Sequence, residues 1–184
     1  MADVTASKQV SAMRAVAHPV RLQILSLLTG AELSAAEIAR ELGITHANAS
    51  YHLRFLADAG TVVVAGEEKI RGGTAKRYRH PWDAESLDGP KAEALGDQRA
   101  YVKAMAQELE RRYQHRRRGT GTRHFLADAE LWVAPEVWQR AAALVEEAAR
   151  LIHAEAKPAR TAGTLHVNMT AAIFEMDGSR GNRR

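Results

Sequence analysis

Three features of the sequence predict a mainly α fold with a small β component. Two amphipathic helix patterns, Ser34 to Leu42 and Thr45 to Ala59, are separated only by Gly43-Ile44. A valine-rich segment, Thr61 to Ala65, follows them, and a basic segment, Ala75 to His80, returns after a glycine-containing turn. Beyond Pro90 helical periodicity resumes, so a helical and α+β region follows the first unit.

Ala6 to Ala17 is a short Ala-rich segment of helical character. Pro19 opens the next helix, because a first helical position has no use for the N–H that proline lacks. Val20, Leu22, Ile24, Leu25, Leu27 and Leu28 make that helix apolar on more than one face, which places it at the centre of a core, and Gly30 stops it. Ser34-Ala35-Ala36-Glu37 is a capping box, with a hydroxyl at the cap and a carboxylate three residues on. The helix it opens runs through Ile38, Ala39 and Leu42 to Gly43. Thr45 caps the following helix, in which Ala49, Leu53 and Leu56 form one buried stripe and Gly60 marks the end. Thr61 to Ala65 reads as a strand, Glu67 to Thr74 as the turn around Gly72 and Gly73, and Ala75 to His80 as the return strand of a hairpin.

Pro81 to Pro90 is rich in Asp, Glu, Ser, Gly and Pro, which sets a boundary between a unit over residues 1–83 and a second over 90–184. In the second, Val102, Met105, Ala106, Leu109 and Tyr113 repeat at helical spacing and predict a long helix over about 97–118. Strand, helix and strand are expected to follow: Phe125 to Val133, Pro135 to about Ala156, and Thr164 to Met176.

Two helices joined by so short a turn cross steeply, so the second can enter a DNA major groove while the first braces it, and the hairpin becomes a wing. The sequence therefore predicts a winged helix-turn-helix. Its outward residues on the second helix are Thr45, His46, Asn48, Ser50, Tyr51 and Arg54, hydrogen-bonding side chains with no acid before Asp58. An ordinary solvated helix favours Asp or Glu in its first turn to offset the dipole. Their absence suits a groove walled by phosphates. Thr45 and Ser50 suit phosphate contacts, Asn48 and Arg54 base edges or phosphates, His46 and Tyr51 either. His52, beside the buried stripe, is expected to pack. The wing contributes Lys69, Arg71, Lys76, Arg77 and Arg79, with Arg71 at the tip as a minor-groove probe or phosphate clamp.

The composition is compatible with this function. The 184 residues are 46% hydrophobic and 26% charged with a net charge of +4, which fits a folded protein with a polyanionic partner. With no cysteine, disulfides, thiolate nucleophiles and thiolate metal sites are excluded, as suits a cytoplasmic protein. Met1 to Val10 has no signal-peptide pattern, and no apolar run is long enough to span a membrane. No nucleophile elbow, phosphate loop or dinucleotide fingerprint occurs, so neither catalysis nor a cofactor is expected.

The sequence resembles the ArsR-type winged helix-turn-helix regulators. The resemblance rests on Ala17-His18-Pro19-Val20-Arg21-Leu22-Gln23-Ile24-Leu25-Ser26-Leu27-Leu28, on Leu33 to Ile44, and on Ala49-Ser50-Tyr51-His52-Leu53-Arg54-Phe55-Leu56-Ala57-Asp58-Ala59-Gly60, within about residues 10 to 80. It implies a homodimer on a palindromic double-stranded operator, usually a repressor released by an effector. Metal sensors of that family place cysteines on the helix that here reads Ala36 to Leu42, and this chain has none.

The C-terminal half is expected to supply dimerisation, through Val102, Met105, Leu109 and Tyr113, and to offer room for a small-molecule effector. Phe125, Trp132, Trp138 and Phe174 are expected to fill a core there, and Arg111, Arg112 and Arg116 to Arg118 to form a solvated helix end. His115, His124, His153 and His166 lack the spacing of a helical metal site, so no metal is expected. The competing function is a protein-interaction module on a winged-helix scaffold that has stopped binding DNA.

Overall fold

A computed structural model describes residues 13–70, 73–82 and 95–177. Its elements are α1 (Pro19–Gly30), β1 (Leu33–Ser34), α2 (Ala35–Leu42), α3 (His46–Asp58), β2 (Val63–Ile70), β3 (Gly73–Arg79), α4 (Leu95–Gln114) and α5 (Pro135–Ala154). Of the Ala-rich N-terminal segment, Met13 to Val16 is helical and residues 1–12 lie outside the described set, as does most of the boundary at 83–94.

The helix ends follow the sequence signals. His18 caps α1, its ring Nδ1 accepting from the Val20 N–H at 3.2 Å. Ser34 and Glu37 close the capping box of α2 in both directions: Glu37 Oε2 accepts from the Ser34 N–H at 2.7 Å, and Ser34 Oγ from the Glu37 N–H at 3.4 Å. Gly43 ends α2 at φ +65°, a left-handed conformation that strains any residue with a Cβ. That reversal makes the short turn possible, and Thr45 opens α3 two residues later by accepting from the Asn48 N–H.

The core lies where these three helices meet. Ile24 and Leu28 of α1, Ile38 and Ala39 of α2, and Ala49, Leu53 and Leu56 of α3 are buried together with Ala15 and Val62. The predicted stripe of α3 is thus the packing face, and His52 is buried beside it. Six large side chains in this cluster are almost wholly shielded, each worth roughly 1.5–3 kcal/mol of hydrophobic stabilisation.

The sheet is antiparallel in the order β1-β3-β2 and extends the prediction in two ways. β1 pairs Leu33 with Tyr78 and Ser34 with Arg77; two residues carry too little periodicity to be seen in sequence. The hairpin arms are longer than expected, since Glu67 to Ile70, assigned to the turn, continue β2. A bulge between Val64 and Gly66 lets the ladder run on to Ile70 opposite Gly73.

α4 begins and ends earlier than expected, at Leu95 and Gln114. Past its end, Arg116 bonds the Tyr113 carbonyl at 2.8 Å and its guanidinium stacks on the Tyr113 ring at 3.8 Å, leaving Arg117 and Arg118 outside the helix. α4 packs on α1 through Ala104 and Glu108, both buried. α5 forms over the expected span and buries no residue.

Three expectations for the C-terminal half are overturned. Phe125 to Val133 and Thr164 to Met176 are not strands: neither segment pairs with any described part of the chain. A strand needs a neighbour to take its N–H and C=O groups, and the sheet of the first unit does not extend to them. Consequently the aromatic residues fill no core: Phe125 is 85%, Trp132 91% and Phe174 67% exposed, and only Trp138 is half-buried.

Candidate nucleic-acid interface

The buried stripe of α3 fixes which residues face outward. Successive helical residues turn by about 100°, so the direction opposite Ala49, Leu53 and Leu56 carries Ala47, Tyr51 and Arg54. All three are exposed, as are His46 and Asn48 on the flanks and Thr45 at the cap, while Ser50 is half-buried. The six predicted residues thus lie on the cap and the first nine residues of one helix, five of them exposed. Ala47 was missed because a single alanine carries no chemical signal in sequence. It lies at the middle of this face, where its small side chain adds no bulk between the helix backbone and solvent.

The electrostatics of that end are set by backbone and cap. The first turn of α3 contains no acid, so the positive end of its dipole is uncompensated. Thr45 occupies the Asn48 N–H, which leaves the N–H groups ahead of it directed at whatever approaches the helix start. Such an end favours a phosphate oxygen.

Behind this face a polar cluster holds α3 to α1. The His18 and His52 rings lie 4.8 Å apart, and the Tyr51 ring meets His52 edge-on at 5.3 Å. Arg21, 9% exposed, sits over the Phe55 ring at 4.4 Å and donates to the Arg14 carbonyl at 3.3 Å. Arg21 Nε and His52 Nδ1 have no protein partner among the described residues. Burial first, then the Arg21 charge, pushes the His18 pKa below its usual value. Burial likewise lowers His52, with further contributions from His18 and Arg21. Both rings are therefore neutral near pH 7, as the acceptor role of His18 Nδ1 requires.

The wing residues do not act as one group. Lys69 near the end of β2 and Lys76 and Arg79 on β3 are exposed. Arg77 is instead engaged by the protein's own groups. Its guanidinium binds Glu68 at 2.9 Å and Glu37 at 3.3 Å and donates to the Glu32 carbonyl, tying the hairpin to α2. Glu37 is held below the usual carboxylate range chiefly by the Ser34 N–H, with Arg77 adding to it against the opposing effect of burial. Arg71, at the tip, lies outside the described residues.

On α4 the predicted stripe is turned away from α1: Val102 is 59% exposed, Leu109 and Tyr113 are about 40% exposed, and Met105 is half-buried. The opposite face does the packing. Glu108 accepts from Gln23 Nε2 of α1 at 2.7 Å and from Arg111 at 2.9 Å, with Arg112 at 3.4 Å. Burial alone would raise the Glu108 pKa, but these donors and charges outweigh it and hold the carboxyl below its usual range. Arg111 and Arg112 are thus engaged with Glu108 rather than simply solvated.

The order of two helices, tight turn and exposed second helix is matched by a known family. Residues 16–64 match the sequence profile of the helix-turn-helix domain family. The match runs from just ahead of α1 into the start of β2, so the helix-turn-helix domain accounts for well under half of the chain. That domain type is the DNA-reading unit of many transcriptional regulators, its second helix being the one that enters the groove. No curated protein gives a significant match to the chain. Among the described residues no three His, Asp or Glu side chains gather as a metal site, and no helix is long and apolar enough to cross a membrane.

Proposed function

We propose that the protein is a sequence-specific DNA-binding transcriptional regulator, acting as a dimeric repressor on a palindromic operator. One observation carries the reading: the start of α3 presents Thr45, His46, Asn48, Tyr51 and Arg54 to solvent with no acidic residue among them. Arg54 and Asn48 reach base edges, and Thr45 with the helix N-terminus grips phosphate. Lys69, Lys76 and Arg79 of the wing bind the flanking backbone, while Arg77 braces the wing. A dimer would set two reading heads one turn of DNA apart, and the exposed apolar residues of the C-terminal half support one. The ArsR-type resemblance supports repression, and release by an effector follows from that resemblance alone.

The test is fluorescence anisotropy with duplexes from upstream of the protein's own gene and with random duplexes, over a salt series. Affinity should fall steeply with salt, with a log–log slope of about −0.9 per phosphate neutralised. Arg54→Ala should cost about 1–3 kcal/mol on the preferred duplex and little on random DNA. Equal losses on both would move Arg54 to a backbone role. Absence of salt-dependent binding to any duplex would refute the function.

A further inference from the structure

Residues 123–176 form an arm without a core of its own. α5 packs along no other helix or strand, and Val137, Leu144 and Leu151 on it are more than half exposed. The arm is held at the far end of α5: the His153 ring meets Trp82 at 5.5 Å, Arg160 pairs with Glu41 at 3.2 Å, and Gly30 leaves no room for a Cβ against the Lys157 carbonyl. A 20-residue helix is about 30 Å long, so the segment before α5 emerges about that far from the anchored end.

The two segments flanking α5 have the pattern of strands and form no strand pairing among the described residues, although the Asn168 side chain accepts from Arg112 of α4 at 3.2 Å. No backbone group of residues 123–133 or 165–176 bonds to another backbone group among the described residues. Leu165, Val167, Met169, Ala171 and Ile173 alternate with His166, Asn168 and Thr170, the period of a strand with one covered face. All of these but half-buried Met169 are exposed. The aromatic rings of Phe125, Trp132 and Phe174 alone expose on the order of 500 Å². With the exposed aliphatic residues beside them, the arm offers more than the roughly 800 Å² per partner that a stable interface uses.

Charge permits a second copy as the occupant. From Thr164 to Phe174 the segment has no acidic or basic residue besides His166, so a second copy can lie antiparallel to it without like charges meeting. The first segment carries Asp128 and Glu130, which a two-fold axis at its centre, Ala129, would set against each other. We propose that a second copy of this chain covers the arm, with residues 164–176 of the two copies pairing antiparallel across a two-fold axis and residues 123–133 adding as outer strands. This inference rests on the dimer proposed above and places the contact between its copies; DNA plays no part in it.

Symmetry makes the pairing testable. Hydrogen-bonded and non-bonded pairs alternate along an antiparallel ladder, so identical strands on a two-fold axis must set one residue opposite its own copy. The chain has no cysteine, so a single introduced thiol can link only two copies. Cysteine is placed singly at positions 167 to 172 of the full chain, followed by mild oxidation and non-reducing electrophoresis, with circular dichroism confirming each fold. The expected result is a dimer by sedimentation equilibrium in the parent chain and efficient cross-linking at one position or at alternate positions around it. Ile173→Lys should then sediment as a single 20.2 kDa chain, while Val102→Lys stays dimeric. A monomeric parent overturns both this inference and the dimer beneath it. A dimeric parent with no cross-link at any position, or one split by Val102→Lys and not by Ile173→Lys, overturns this inference alone.

Discussion

Replacing Glu108 with alanine tests how α4 is fastened to the helix-turn-helix. The side chain is 3% exposed and joins three donors, Gln23 on α1 and Arg111 and Arg112 on its own helix. Stranding a fully buried charge costs about 3–5 kcal/mol. Here the stranded groups can rehydrate, since Arg111 is 46% and Arg112 24% exposed. The cost therefore belongs with hydrogen bonds to charged groups, about 1.5–3 kcal/mol, and about 2 kcal/mol is expected. Urea unfolding followed by circular dichroism at fixed protein concentration reads this directly. With a slope of about 1–3 kcal/mol/M, the midpoint should fall by about 1 M. Glu108→Gln, which keeps an acceptor for Gln23 and loses the charge, should fall by about half as much. A loss under about 0.5 kcal/mol for the alanine variant at unchanged slope would show that Glu108 does not hold α4 on α1.

Two further outcomes follow from the core. His18 and His52 titrate lower folded than unfolded, so their contribution is fully present above the unfolded value near 6.5 and is lost as pH falls from there towards the folded values. Glu37 and Glu108, also lowered, extend the same loss below about 4.5. The urea midpoint should therefore drop between pH 7.5 and 5.5, and His52→Gln should flatten that drop; an unchanged midpoint in the parent chain would contradict the assignment of neutral rings. Gly43→Ala meets no neighbouring atom, so its cost is purely that of a Cβ at φ +65°, about 1 kcal/mol in thermal or urea unfolding. A neutral result there would mean the turn between α2 and α3 relaxes without disturbing the core.

Much of the helix-turn-helix and its exposed face was legible because the signals are local. A cap, a glycine and a three-four spacing of apolar residues act within a few residues of one another, so Ser34, Gly43, Thr45 and the stripe Ala49, Leu53, Leu56 announce both helices and, by subtraction, their outward face. Ala47 lies on that face and was silent, having no functional group to notice. Arg77 shows the opposite case. By residue type it matches the other basic wing residues, and only the approach of Glu37, Glu68 and the Glu32 carbonyl ties it to its own chain.

The sequence by itself determined where helices start and stop and which face of α3 meets solvent, because those depend on backbone propensity and on periodicity along one element. The tertiary structure alone decided that Leu33 and Ser34 join the sheet, that Glu108 fastens α4 to α1 across 85 residues, and that Phe125 to Val133 and Thr164 to Met176 find no strand to pair with among the described residues. A strand is defined by a neighbour's hydrogen-bonding groups and an ion pair by its counter-charge. Which distant groups arrive is settled by packing, on which the order of residues is silent.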